Sequence, residues 1–302
     1  MPHTFVTADL HFGHKRLATE VREFKSLDDM HETIVSRWNK IVRSKDTVYL
    51  LGDIAWTKSS APLIGRLSGR KILIGGNHDI GQLKDMAPYF EKMLPMKITD
   101  SGYILTHIPI HPGSVRRWEG NIHGHLHNNE LPWPYLCVSM EKTNYTPIFL
   151  QNAITDLTNK KDRFCKDMVS KLTEFQRNYL ACALWSSSDD NDQPLDHGYD
   201  ITAFHPYTLQ WQIDDCVSFC TVNRELLKRA AEFLDNNPKL LPPNSNGAVA
   251  LIAHDFWLDR NGHGAGSFDR GYPEDIEKAL GEAAKKFKEV TLSVVNGFIY
   301  QD

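Results

Sequence analysis

The first half of the chain consists of short apolar runs separated by polar text. Thr4–Ala8, Thr47–Leu51, Lys71–Gly75, Tyr103–Thr106 and Gly120–His123 are each of strand length, and most are rich in Val, Ile, Leu or Tyr. Helical spacing lies between the early runs. Leu27-Asp28-Asp29 opens a segment with Met30, Ile34, Trp38 and Ile41 on one face, ending near Val42, and a second short helix is predicted over Ala61–Leu67. Strands alternating with helices predict an α/β fold with helices packed on a sheet. The later strands follow one another without helices, so a mixed sheet is expected.

Beyond residue 155 the period changes. The polar stretch Asp156–Asp162 reads as a linker between a first domain, residues 1–155, and a mostly helical α+β second domain, residues 163–302. Phe164–Ala183, Thr208–Leu234 and Pro273–Lys288 predict helices, with a turn-rich break over residues 236–247. The last segment, Val290–Val295, Asn296-Gly297 and Phe298–Tyr300, predicts a hairpin with a two-residue turn. Two domains also suit a length of 302 residues.

What stands after each early strand changes the picture from fold to chemistry. Asp9-Leu-His11 follows the first strand and Gly52-Asp53 the second, while Gly76-Asn77-His78-Asp79 follows the third. His107 and then Gly124-His125-Leu-His127 follow the next two. Ligands of open α/β sheets gather at the carboxyl ends of strands, so these side chains are expected to converge. Two Asp, one Asn and four His make a mixed oxygen and nitrogen donor set, suited to Mn, Fe, Zn or similar ions rather than Ca. In Asp9-X-His11 and His125-X-His127, alternate residues of extended chain would point the same way. Asp9-X-His11 alone is a common surface pair and Gly52-Asp53 a common turn. Gly76-Asn77-His78-Asp79 is more specific, since it has no packing purpose after an apolar strand, and all five in order at strand ends point to a site.

Composition narrows the classes. Residues 1–150 carry 18 Lys+Arg against 15 Asp+Glu, whereas the rest carries 16 against 23. The acidic second half argues against nonspecific nucleic-acid binding, which rests on cations neutralising phosphates. Ten of the 14 histidines lie in the first 150 residues, where the acid–base and metal chemistry is expected. Five cysteines without metal-finger spacing suit free thiols in a reducing cytoplasm. No apolar run is long enough to cross a bilayer, and the first residues lack the apolar stretch of a signal peptide.

The set Asp9-X-His11, Gly52-Asp53, Gly76-Asn77-His78-Asp79, His107 and Gly124-His125-X-His127 resembles the signature of the calcineurin-like metallophosphoesterases, over about residues 1–150. Phe12-Gly13-His14, Trp38-Asn39 and Leu105-Thr106-His107-Ile108-Pro109 resemble the small bacterial and phage members. The resemblance implies a β-sandwich flanked by helices and two divalent metal ions, with Mn favoured and Fe, Zn or Ni as alternatives. It implies that Asp9, His11 and His127 hold one ion, that Asn77, His107 and His125 hold the other, and that Asp53 bridges both. It further implies hydrolysis of a phosphodiester or phosphomonoester by a metal-activated hydroxide, with diesters favoured and a nucleotide-related substrate. His78 would serve the leaving oxygen, and Asp79 would orient His78. Some members carry a further acid shortly after Gly-Asp; here Ile54-Ala55-Trp56 follows, which alters polarity on the substrate side.

His14, Lys15, Arg16 and the loop bearing His111, Arg116, Arg117 and Trp118 are candidates to meet substrate phosphate. His123 is expected to be structural, and Cys137 a buried strand thiol. In the second half, His254–Gly271 packs three Asp, two Arg, two His and four Gly into 18 residues. With Phe175–Leu180 and Leu195–Asp200 it resembles an uncharacterised domain of phage and mobile-element proteins. The stretch reads as a tight surface loop in which Asp and Arg pair. A further metal site among Asp196, Asp200, His254, Asp255 and His263 lacks ligand spacing, and Cys216 with Cys220 reads as a core face. The rival to an enzyme is a phage-type binding module, in which the second domain recognises a host protein or a nucleotide signal.

Overall fold

The computed structural model describes residues 2–189, 191–241, 246–263, 265–295 and 297–301. Two compact units divide the chain, Met1–Lys161 and Asp162–Asp302. The first is a mixed α/β unit with two sheets. One has the order β4-β3-β2-β1-β9, built from β1 (Thr4–Thr7), β2 (Thr47–Leu51), β3 (Arg70–Ile74), β4 (Lys92–Leu94) and β9 (Ile148–Phe149). Strands β1 to β4 run parallel, and β9 is antiparallel to β1. The other sheet has the order β5-β6-β7-β8, from β5 (Lys97–Ile98), β6 (Tyr103–Leu105), β7 (Gly120–His123) and β8 (Tyr135–Cys137). Here β6, β7 and β8 are parallel and β5 antiparallel. A parallel bridge from Ala8 to Ser139 links the end of β1 to the segment after β8.

The five expected strands form to within a residue because parallel strands are buried on both faces and so read as apolar runs. Val48, Leu50, Leu73 and Ile74 are fully enclosed. Helix α1 (Leu27–Ile41) starts where Ser26 Oγ accepts from Asp29 N, with Asp28 and Asp29 favourably placed in its first turn. It buries Met30, Ile34, Val35 and Trp38 in the core formed by Phe5, Leu50 and Leu73, and Trp38 Nε1 donates to the Ser68 carbonyl. The predicted helix over Ala61–Leu67 is a 3₁₀ segment, Lys58–Arg66, with Pro62 inside it. Short helices α2 (Leu83–Met86) and α3 (Pro112–Val115) cover the connections after β3 and β6.

Residues 156–162, expected as a linker, lie inside helix α4 (Leu150–Ser170). Polarity there marks the wet face of a helix. Leu157 is fully buried beside Gly120, Thr158 bonds Tyr103 Oη, and Lys161 pairs with Glu119.

The second unit is mostly helical: α5 (Glu174–Ser186), α6 (Pro206–Val222), α7 (Arg224–Asn236), α8 (Ala248–Arg260) and α9 (Glu274–Ala284), with a hairpin of β10 (Leu292–Val295) and β11 (Phe298–Gln301). Val295 faces Phe298 across the predicted two-residue turn, whose Asn296 lies outside the described residues, as do Pro242–Ser245 of the predicted break. Two predicted helices are each broken in two. Thr173 caps α5 through a reciprocal pair with Gln176, ending α4 before it, and Asn223 separates α6 from α7. The stretch read as a surface loop from His254 is, through Arg260, part of the buried helix α8, where Phe256 stacks on Phe219 at 3.9 Å. The expected Asp–Arg pairing does occur: Arg270 Nε donates to buried Asp255 at 2.8 Å.

Candidate metal centre

Strands β1, β2 and β3 are adjacent and parallel, so the residues that follow them share one sheet edge; β6, β7 and β8 do the same in the second sheet. Pairing continues past the strand ends. Asp9 N donates to Gly52 O, His11 N to Asp53 O, Gly124 N to His107 O and Ala8 N to Val138 O, all within 2.9–3.1 Å. These bonds hold the motif-bearing loops side by side.

The convergence is achieved by strained turns and not by extended chain, as spacing had suggested. Asp9, His11, Asp53, His125 and His127 all have positive φ, between 50° and 67°. Such backbone costs a non-glycine residue roughly 1–3 kcal/mol and persists only where surrounding contacts over-determine it. Five of the nine described non-glycine residues with positive φ are therefore in one cluster. Glycines make the close approach feasible: a Cβ on Gly76 would stand 2.3 Å from Asp53 Oδ1, and one on Gly124 2.6 Å from Asp9 Oδ2.

Two groups of ligand atoms result, Asp9 with His11 and His127, and Asp53 with His107 and His125, each group within 4.8 Å. Asn77 joins the second through Oδ1, 2.9 Å from His107 Nε2. Asp53 Oδ2 lies between the groups, 3.7 Å from His11 Nε2 and 3.4 Å from His107 Nε2. Among the described residues no third such group occurs, so Asp196, Asp200, His254, Asp255 and His263 are not brought together as ligands.

The donor set fits a cation. His107 Nδ1 lies 2.7 Å from the Leu51 carbonyl, which fixes it as the N–H donor in the neutral ring. Its Nε2 faces the oxygens of Asn77 and Asp53, which call for positive charge. In the metal-free protein a ring proton supplies it, since burial lowers the His107 imidazole but the bond and charge of Asp53 outweigh it and raise it. A bound cation would take that proton's place. Asp9 Oδ1 and His11 Nε2 are buried without a hydrogen-bond partner. Unpaired buried polar atoms are rare and costly, and a cation would satisfy both. Burial lifts the Asp9 carboxyl to about 6 and drops the His11 imidazole to about 3. Burial also pushes Asp53 up, but bonds and charge from His107 outweigh it and hold Asp53 at about 2.

Residues that sequence reasoning passed over support this set. Glu141 Oε1 accepts from His127 Nδ1 at 2.7 Å and from Arg22 Nε at 2.8 Å. Arg22, whose side chain is fully enclosed, also donates to the carbonyls of Asp9 and Leu10. Ser139 Oγ donates to Asp9 Oδ2 at 2.6 Å, alongside His125 N at 2.9 Å. Ser139 and Glu141 follow β8 as the ligands follow the other strands, so the strand-end rule pointed to them.

Asp79 does something other than orient His78. Its carboxylate accepts from Asp53 N, Gly76 N and Ile54 N, all at 2.8–2.9 Å, so it ties the second motif loop to the third. His78 is half-exposed, its backbone N–H donating to Asp53 Oδ1 and its ring Nε2 lying 4.0 Å from Asp53 Oδ2. His14 sits against Trp56, whereas Lys15 and Arg16 are exposed and Arg16 pairs with Glu20. Arg116 and Arg117 are exposed, and half-buried Trp118 lies beside them. His111 accepts from Gly113 N. His123 is buried with Nδ1 on the Gly124 carbonyl and, pushed down by burial to about 4, is structural as expected. Cys137 is half-buried, its thiol 3.1 Å from Ser139 Oγ. Cys216 and Cys220 lie in and against the second unit's core.

No family model matches the chain. It is 31% identical over 159 residues, 48% of its length, to the uncharacterized protein MJ1445 of Methanocaldococcus jannaschii, of which it covers 86%. The chain belongs to the family of that uncharacterised protein. It is also 44% identical over 85 residues to the Gene 66 protein of Mycobacterium phage L5 and 39% identical over 85 residues to that of phage D29. The match spans 41% of each phage protein, less than half of their length. A crystal structure of a protein of unknown function, AQ665 from Aquifex aeolicus, covers 52% of the chain at 27% identity with a TM-score of 0.42.

Proposed function

We propose that the chain is a binuclear-metal phosphoesterase that hydrolyses nucleotide-related phosphodiesters in preference to monoesters. The observation that carries this is the pair of ligand groups with Asp53 Oδ2 between them, built on five left-handed residues with buried acceptors left unpaired. The strand-end placement in two sheets supports the calcineurin-like layering that the motifs resemble. Asp9, His11 and His127 would hold one divalent ion, Asn77, His107 and His125 the other, and Asp53 both. When bound, such ions (manganese first, then iron, zinc or nickel) neutralise phosphate charge and lower the pKa of water toward ~7.

The chain's own groups then do the rest. Glu141 fixes the ring of His127, and Leu51 O that of His107, so that each presents Nε2 inward. Asp79 and Ser139 hold the bridging loop and Asp9 in register. His78 stands at the open side, exposed enough to meet substrate and close enough to Asp53 to be oriented; it gives a proton to the leaving oxygen. Free thiols at all five cysteines and the phage relatives support action in a cytoplasm, a host's if phage-encoded. No described helix is long and apolar enough to cross a membrane.

Asp53→Asn tests this. It should abolish hydrolysis of bis(p-nitrophenyl) phosphate by manganese-loaded protein and reduce bound metal. Unchanged turnover would overturn the assignment.

A further inference from the structure

Trp56 stands three residues beyond Asp53 and stays outside the apolar core that Ile54 and Ala55 enter. More than a third of it, 37%, is exposed. Its ring has imidazoles beside it, His14 at 4.0 Å and His78 at 4.8 Å between centroids, with His11 at 6.2 Å. The two nearer rings are tilted from the indole by 41° and 50°, so neither lies flat on it. The backbone is pinned from both sides: Trp56 N donates to Phe12 O at 2.8 Å, and its carbonyl accepts from Gln82 Nε2 at 2.9 Å. The loop carrying His14 is fixed in turn by Gly13 N donating to His31 Nε2. A partly exposed indole on a fixed backbone therefore stands beside the ligand groups, next to the histidine assigned to the leaving oxygen.

We propose that Trp56 is the stacking platform for the base of a nucleotide substrate. The placement rests on the phosphoesterase reading, which puts the scissile phosphate at Asp53 and His78. Trp56 adjoins His78, 4.8 Å between ring centroids, and His78 Nε2 is 4.0 Å from Asp53 Oδ2, so the indole is one side chain removed from the carboxylate where the phosphate would sit. Indole offers a large aromatic face for a base, and with only two χ angles it has little entropy to lose. Stacking uses the π-face that every base has, so the platform selects nucleotides as a class without choosing among bases.

Two ratios test it. The first is binding, by calorimetry on manganese-loaded protein, of phosphonate analogues of adenosine 5′-monophosphate and ribose 5-phosphate, which resist hydrolysis. Wild type should bind the adenosine compound about tenfold more tightly. Trp56→Leu should bring the ratio near one, and Trp56→Phe should keep most of it. The second is kcat/KM for thymidine 5′-(p-nitrophenyl phosphate) over that for methyl p-nitrophenyl phosphate, which should fall about tenfold in Trp56→Leu. An equal preference in wild type and Trp56→Leu, or none in wild type, would overturn the platform while leaving hydrolysis of the methyl ester to stand. Intact Trp56-dependent binding without turnover of either diester would instead sink the phosphoesterase reading alone.

Discussion

Replacing Glu141 separates two jobs that the structure gives one carboxylate. Its Oε1 accepts from both His127 Nδ1 and Arg22 Nε, and the side chains of Glu141 and Arg22 are 4% and 0% exposed. Burial alone would raise this carboxyl, yet the bonds and charges of His127 and Arg22 hold it at about 2 against an ordinary 4.5. That shift corresponds to about 3 kcal/mol of stability at neutral pH. Because the folded value is depressed, the contribution is complete above pH 4.5 and is lost as pH falls toward 2. Glu141→Ala also strands a buried guanidinium, which costs ~3–5 kcal/mol. It frees His127 to turn, which weakens metal binding by about 10–100-fold. Glu141→Gln keeps an oxygen for both donors and loses only the charge, so it should lose about 3 kcal/mol while holding metal within about tenfold of wild type. Urea unfolding of metal-stripped protein between pH 3 and 7, with manganese titration by calorimetry, reads both effects. The gap between wild type and Glu141→Gln should be full at pH 7 and shrink below pH 4.5. A Glu141→Ala variant that loses under about 1 kcal/mol and binds manganese like wild type would refute this account of the pair.

Gly76→Ala would put a methyl 2.4 Å from Asp53 N and should abolish metal binding with far-UV circular dichroism retained; unaltered calorimetry would mean the loop yields freely. Asp79→Asn replaces an acceptor of backbone N–H groups with an amide donor and should cost about 1–3 kcal/mol in urea unfolding, with metal affinity lowered as well. A change confined to the pH profile of turnover would return Asp79 to orienting His78. Leu157→Ala, in the stretch read from sequence as a linker, should cost about 2–5 kcal/mol; a silent substitution would restore the linker.

The fold of the first unit was legible because its strands are parallel and double-buried, which leaves apolar runs in the text, and because each run stops at a polar residue. That rule picks out Asp9, Asp53, Asn77, His107 and His125 in the sequence. It did not supply the turn geometry: positive φ at Asp9 and His127 depends on long-range ties such as Asp9 N to Gly52 O, which local spacing does not encode. Arg22 and Glu141 lie 119 residues apart and have no motif of their own; only the fold makes them partners. Polar composition misled at 156–162, where Ala153 and Leu157 four apart were the helical signal. The breaks at Thr173 and Asn223 were written in capping residues, with Thr173 and Gln176 at capping-box spacing, but were overridden by the apolar period on either side. In the second unit, α8 is buried nearly all round, so its Asp and Arg residues looked like loop chemistry until Asp255 met Arg270 and Arg260 met Asp215.

The central claim is tested most directly by one titration: initial rates of bis(p-nitrophenyl) phosphate hydrolysis by metal-stripped protein as manganese is added in known equivalents per chain. A binuclear site shared through Asp53 predicts negligible rate in stripped protein, rising to a plateau at two equivalents. Full activity without added metal, or no hydrolysis once two equivalents are bound, would contradict it.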